Sequence, residues 1–378
     1  MTFFESKQAA AVLKHALLKR YIPLFVGKTG STSAGGRVAF VDGYAGAGSY
    51  EDGQDGSPIL VMEEAHALTA KARDLHCIFV ERDPEAFGKL SSAVATQGVG
   101  LTTTVLHGDV EQHLDRIKAL VANQPVLYFF DPFGRMFPLA SVAELFAGRS
   151  KGYGAPATEL MVNFNASNLR RTAGHLTSPT ALPATLAGMD DMCGGDWWRE
   201  VWLDHLPDKD SAEAAVVAGY AQRLSTAAGG AGRWIIDVRN RPANKPVYYL
   251  VFLSGHSDGL SLMGESLSLG MQDWRHFLHK QEYAGSLLDE EYSENLFKTL
   301  EIANTTAWTH EIEGNLERLL AEGAAFRIID RYGDVYGSAL GLARQTHLRA
   351  AWARVYEAGL TTTDSKGKDL IKKVITPA

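Results

Sequence analysis

An α/β fold built on a mostly parallel sheet is what this 378-residue sequence predicts, and three observations carry that prediction. First, short apolar runs end on glycines or acids. Arg37-Val-Ala-Phe-Val41 opens into Asp42-Gly-Tyr-Ala-Gly-Ala-Gly48, and His76-Cys-Ile-Phe-Val-Glu81 closes on its acid. Leu101 to His107 leads to Gly108-Asp109, and Val126-Leu-Tyr-Phe-Phe-Asp131 runs into Pro132-Phe-Gly134. Second, helix-period segments separate these runs, the pattern of right-handed βαβ crossovers. Third, two late β-rich runs, 233–239 and 247–253, are parted only by a short polar loop with Pro242 and Pro246, which reads as a terminal hairpin.

The elements follow in order. Residues 6–26 have Val12, Leu13, Leu17, Leu24 and Phe25 near one stripe and predict an amphipathic helix that Pro23 ends or kinks. A Gly/Ser/Thr loop, 27–36, precedes the first strand at 37–42. Helix 58–73 starts at Ser57-Pro58, with Ser57 as N-cap and Pro58 in the first turn. Strand 76–81, helix 84–97 and strand 101–107 come next, the last with a β-branched run from Thr102 to Val105. Helix 110–121, strand 126–131, a helix opened by Pro138, and the fifth strand Glu159-Leu-Met-Val-Asn-Phe-Asn165 complete the alternation. Residues 166–228 read as a helical insertion whose Trp197, Trp198 and Trp202 suit a core better than a base-stacking platform. From about 280 the pattern turns helical; residues 326–336 suggest a β-wing, hence a small winged-helix domain. The expected division is 1–279 and 280–378.

The acids define the site. A dinucleotide fingerprint would press its glycines onto a helix N-terminus that holds the pyrophosphate. Here the loop runs on into the polar stretch 49–56, whose acids would repel a pyrophosphate yet tolerate a sulfonium. The expected cofactor is therefore S-adenosylmethionine (SAM). Gly43, Gly46 and Gly48, with Ala45 among them, would bring backbone close to its methionine part. Asp42 would orient the ammonium. Glu81, an acid closing an apolar strand, would accept from both ribose hydroxyls. Asp109 would accept from the adenine amine, or act as a helix N-cap, with Val110 supplying an adjacent backbone group. Asp131, with Pro132 and Phe133, stands nearest the reacting end. Gly134, Asn163, Asn165 and Arg170 are candidates for substrate contact. His256 reads as a structural loop histidine.

The sequence resembles the three-Cys-motif partner family (TcmP) of class I SAM-dependent methyltransferases. The resemblance lies in Lys14-His-Ala-Leu-Leu-Lys-Arg-Tyr21, Val41 to Gly48, Gly56-Ser-Pro58, Phe130-Asp-Pro-Phe-Gly134 and Val247-Tyr-Tyr-Leu-Val-Phe252. It implies a Rossmann-like fold with a seven-stranded sheet closed by an antiparallel hairpin, methyl transfer to an N or O nucleophile, and a cysteine-motif partner protein. Amino-methyltransferases carry an acid, two prolines and an aromatic at the Asp131 position. Here Phe133 replaces the second proline and Gly134 the aromatic, which puts the base-stacking ring in doubt.

The bulk properties narrow the alternatives. A net charge of -7 excludes a protein coated in basic surface, leaving only local patches, Arg170-Arg171 and Arg239 to Lys245, as nucleic-acid candidates. Two cysteines, Cys77 and Cys193, make neither a disulfide framework nor a metal cluster, so no metal is expected. No apolar stretch reaches the ~18 residues of a membrane span, and no signal-peptide pattern opens the chain. The expectation is a cytoplasmic protein. Two readings part at Asp131: an enzyme that needs it for turnover, or a SAM-binding scaffold with no turnover to lose.

Overall fold

The computed structural model describes residues 3–49, 55–132, 137–147, 149, 154–178, 183–284 and 289–378. They divide into two compact units, Met1–Leu260 and Ser261–Ala378.

The first unit begins with α1 (Phe3–Gly30). Then β1 (Arg37–Asp42), α2 (Ser57–Thr69), β2 (Asp74–Glu81), α3 (Pro84–Gln97), β3 (Thr103–His107), α4 (Leu114–Val121), β4 (Val126–Phe130), α5 (Leu139–Phe146) and β5 (Thr158–Phe164) alternate. The helices α6 (Ala166–Ala173), α7 (Pro183–Cys193), α8 (Trp197–Asp204) and α9 (Lys209–Ala227) form the insertion before β6 (Gly232–Val238) and β7 (Tyr248–Ser254). The sheet order is β3-β2-β1-β4-β5-β7-β6. The five strands from β1 to β5 pair in parallel, and β7 is antiparallel to both β5 and β6. This is the Rossmann-like class I methyltransferase fold. Burial on both faces explains why the parallel strands read as unbroken apolar runs; all five residues of β4 are buried.

Helix α1 departs from the expected ending. Pro23 lies inside it, and the helix continues to Gly30. The ring removes one backbone hydrogen bond, but Tyr21, Ile22, Phe25 and Val26 are all buried, and that contact holds the helix across the break. Helix α2 starts one residue early: Gly56 is the N-cap and Ser57 belongs to the first turn. The Ser57 hydroxyl donates instead to Asp42 at 2.5 Å, because a buried carboxylate competes for it more strongly than a backbone amide. The tryptophans of the insertion are core: Trp198 and Trp202 are buried, and Arg223 lies 3.7 Å over the Trp197 ring.

The second unit holds most of α10 (Ser257–Tyr283), then α11 (Glu290–Leu320), β8 (Phe326–Arg327), α12 (Tyr332–Tyr336), α13 (Gln345–Glu357) and β9 (Val374–Ile375). Only Phe326–Arg327 of the predicted wing is strand; the residues after it turn helical, burying Val335 and Tyr336 beside Ile312 and Leu316 of α11. β9 returns antiparallel to β8, and Thr361 bridges Pro377. Residues 362–373, downstream of α13, form the loop that leads into β9.

A buried acid sits at the amino end of β5. Glu159 accepts from Tyr21 Oη at 2.5 Å and from Ser254 Oγ at 2.7 Å, and burial pushes its carboxyl up to about 7 despite those donors. An acid raised on folding adds stability that is complete below its unfolded value and is lost as pH rises through the folded one. Between pH 4.5 and 7.5 the wild type should therefore lose about 3 kcal/mol relative to Glu159→Gln. Parallel pH profiles of unfolding free energy for the two proteins would refute this.

Candidate functional site

The carboxyl ends of β1 to β5 meet where the strand order turns between β1 and β4. The loop after β1 is tied at three points: Gly43 N–H donates to Phe129 O at 3.1 Å, Ala45 N–H to Val80 O at 3.0 Å, and Gly56 N–H to Gly48 O at 2.7 Å. Gly43 is required by packing, since a Cβ there would lie 2.5 Å from the Phe130 ring. Gly46 is required by conformation, with φ +66°; a Cβ there would meet open space.

That open space is a cavity of about 210 Å³, lined in part by Gly43, Tyr44, Gly46, Glu81, Gly108 and Asp109, with Val110 also at its wall. Five candidates from the sequence, Gly43, Gly46, Glu81, Asp109 and Val110, are brought together there. Glu81 Oε2 accepts from Gly46 N–H at 2.8 Å and Oε1 from Asp83 N–H at 2.6 Å. Each oxygen keeps a second lone pair for a ligand hydroxyl. Asp109 precedes a short 3-10 turn without capping it through its side chain, and its Oδ1 lies 3.5 Å from Arg82. Tyr44, Val80, Arg82, Ala86 and Gly108 complete the wall and were missed in the sequence reading. Gly108, at φ +135° before an acid, was the available signal.

The other candidates lie elsewhere. Asp42, fully buried, accepts from Tyr44 N–H at 3.0 Å as well as from Ser57, and burial pushes it up to about 7. Ala45, Gly48 and Pro132 are not among the residues lining the cavity. Asn165 caps α6 by accepting from Asn168 N–H at 2.8 Å. Arg170 is held by Glu213 at 2.6 Å and donates to Pro246 O at 2.8 Å. The basic patches are likewise engaged: Arg171 donates to Asn168, Arg239 pairs with Asp237 and Lys245 with Asp210. His256 is exposed and accepts from Asp258 N–H. Phe133 and Gly134 lie outside the described residues. No group of three or more metal-ligating side chains occurs among the described residues, nor any helix long and apolar enough to cross a membrane.

Asp131 has an environment the sequence did not announce. Lys14 of α1 places Nζ 2.5 Å from Oδ2, and Asn163 of β5 donates through Nδ2 to Oδ1 at 2.5 Å. Lys14 and Asp131 are each 7% exposed, so this is a buried ion pair. Burial alone would raise the Asp131 carboxyl; the Lys14 charge and the two hydrogen bonds outweigh it and hold the group below its ordinary value. His15, next to Lys14, is pulled down to about 4 by burial and by that same charge. The only sequence signal was a lysine set among the buried Leu13, Ala16, Leu17 and Leu18.

The fold and the placement of the cavity define a protein of the class I methyltransferase architecture. No family model and no curated protein matches the chain. Among solved structures it is similar to a protein assigned as a class I SAM-dependent methyltransferase from Listeria monocytogenes, with 12% identity over 67% of this chain and 69% of that one and a TM-score of 0.28. It is also similar to the cyclopropane synthase MmaA2 from Mycobacterium tuberculosis, with 14% identity over 74% and 75% and a TM-score of 0.29. A geranyl diphosphate methyltransferase in complex with SAM matches at 12% identity over 66% and 84%, with a TM-score of 0.26. At that distance the functional reading rests on the site geometry alone.

Removing one partner of a buried ion pair leaves the other charge uncompensated. Asp131→Ala should cost about 3–5 kcal/mol of unfolding free energy, and Asp131→Ala combined with Lys14→Met much less. Denaturant unfolding of the two variants measures this; additive losses would contradict a direct pair.

Proposed function

We propose that this protein is a SAM-dependent methyltransferase. The observation that carries the reading is the cavity where Glu81, Asp109 and the Gly43–Gly46 backbone converge beside the β1/β4 turn of the sheet. Its volume is below the ~300 Å³ at which drug-sized ligand pockets begin, which suits the nucleoside part of the cofactor. The methionine part would follow the glycine loop toward Asp131. When bound, SAM supplies a methyl group on a positively charged sulfur. The chain's own residues then bind and orient: Glu81 accepts from the ribose hydroxyls, Asp109 from the adenine amine, and the open face of Gly46 admits the ligand. Gly43 presses the loop onto Phe130. Positioning of donor and acceptor in line supplies most of the catalytic effect in such a transfer.

The sequence resemblance to the three-Cys-motif partner family supports a narrower form of this reading, in which the enzyme works with a cysteine-motif protein. The alternative is a SAM-binding scaffold in such a complex.

Calorimetric titration with SAM, S-adenosylhomocysteine and NAD tests the core of the proposal. SAM and S-adenosylhomocysteine should bind and NAD should not. Glu81→Ala should weaken binding by about 10²-fold, the scale of two charge-assisted hydrogen bonds. NAD binding, or an unchanged affinity in the variant, would sink it.

For the C-terminal unit we propose a contact with duplex nucleic acid through the 362–373 loop. Lys366, Lys368 and Lys372 are exposed there, and Arg349 of α13 braces the loop by donating to Ser365 O and Gly367 O. Replacing the three lysines by glutamine should weaken binding to a labelled mixed-sequence DNA duplex and lower the salt slope by about two to three. A slope that does not change refutes this contact.

A further inference from the structure

We propose that the Lys14–Asp131–Asn163 cluster receives an N–H donor at the point of transfer, so that the methyl acceptor is an amino nitrogen. Asn163 Oδ1 takes its hydrogen bond and Lys14 serves as the positioning residue; the proposal rests on the SAM-dependent reading above.

The cluster stands where the acceptor must come. Phe130 pairs with Val162, so Asp131 and Asn163 lie side by side at the ends of β4 and β5. On the other flank β4 pairs with β1, whose end opens the glycine loop. Each Asp131 oxygen already has one donor, so among the described residues the acceptor atom of the cluster left with none belongs to Asn163. One oxygen takes the Lys14 ammonium and the other the Asn163 amide, both at 2.5 Å. Those bonds orient Asn163. Turned the other way, its carbonyl oxygen would face a carboxylate oxygen at hydrogen-bond distance with no proton between them. With Nδ2 committed, Oδ1 is directed elsewhere, and among the described residues this buried oxygen has no hydrogen-bond partner. A buried acceptor without a donor is uncommon in a folded protein and calls for a ligand, an ion or a water.

The chemistry favours nitrogen over oxygen. A hydroxyl acceptor needs a base for its proton, and the cluster offers a poor one. Asp131 is held below its ordinary value by Lys14 and His15 beside it is a weak base; Asp42, which burial raises to about 7, is tied by Tyr44 N–H and Ser57 Oγ into the glycine loop and the start of α2 rather than into the cluster. A neutral amine brings its own lone pair. That pair forms the new N–CH3 bond as the S–CH3 bond breaks, and the breaking pair stays on sulfur. Positive charge moves from sulfur to nitrogen, so the N–H bond to Asn163 Oδ1 strengthens during transfer, with the Asp131 carboxylate nearby. The surplus proton on nitrogen then leaves to water.

Calorimetry on the full-length protein tests this without knowing the acceptor. The probes are S-adenosylhomocysteine, sinefungin, which carries a primary amine on a carbon in place of the sulfur, and 5′-methylthioadenosine, which lacks the amino-acid part. Wild type should bind sinefungin about tenfold more tightly than S-adenosylhomocysteine, the scale of one hydrogen bond to a charged group. In Asn163→Ala, or Asn163→Ser should that variant fold better, the ratio should fall to about twofold or less, with 5′-methylthioadenosine as the reference. Lys14→Met should lower the ratio, and Lys14→Arg should keep it. S-adenosylhomocysteine binding with no preference for sinefungin, or a preference that survives loss of the Asn163 amide, overturns the inference and leaves the cofactor reading standing. Binding of none of the three by wild type overturns both.

Discussion

A lysine and an aspartate buried together hold the first helix to the sheet. Lys14 reaches Asp131 at the carboxyl end, and Tyr21, seven residues on, reaches Glu159 at the amino end of β5. Seven helical steps rise about 10 Å, and the four strand steps from Glu159 to Asn163, which lies beside Asp131, span about 13 Å, so the two polar contacts are spaced alike on the helix and on the sheet. Between them Leu17 and Leu18 are buried. Taking two charges out of water is costly, and the bond that they make only offsets it. The pair therefore specifies an arrangement more than it adds stability. What it specifies is the direction of Asn163 and the ionised state of Asp131.

The cavity beside the glycine loop is governed by a different constraint. There the chain is held by backbone: loop amides donate to the ends of neighbouring strands, and Glu81 gathers two more amides, from Gly46 and Asp83. An acid that already organises two loops is preorganised for a ligand, because its position is set before the ligand arrives. Asp42 joins the glycine loop to the start of α2 by accepting from Tyr44 N–H and Ser57 Oγ, a pairing that the order of residues does not reveal.

The C-terminal unit has its own core, built on Ile312, Leu316, Trp352 and Ile375. Its exposed lysines include Lys280 and Lys298 on helices α10 and α11 and Lys366, Lys368 and Lys372 in the loop before β9. Arg354 on α13 is paired with Glu313, and Arg349 is spent on loop carbonyls.

The sequence by itself determined the sheet and the acids at its carboxyl edge. Apolar runs ending in Asp42, Glu81, Asp109 and Asp131 are legible because a buried parallel strand needs unbroken hydrophobicity, and its polar ends can only sit where the strand leaves the core. The late hairpin was legible for the same reason, since no helix separates β6 from β7. What the sequence could not show was pairing at a distance: Lys14 with Asp131, Tyr21 with Glu159, Ser57 with Asp42. Pro23 read as an end or a kink because local propensity says so, and the helix runs on past it to Gly30 because burial of its neighbours outweighed one lost hydrogen bond. Asn165 and Arg170 looked like site residues from their place after β5, yet a cap and an ion pair with Glu213 claimed them. Such contacts join residues far apart in the chain, and only the packed tertiary structure decides which polar group reaches which.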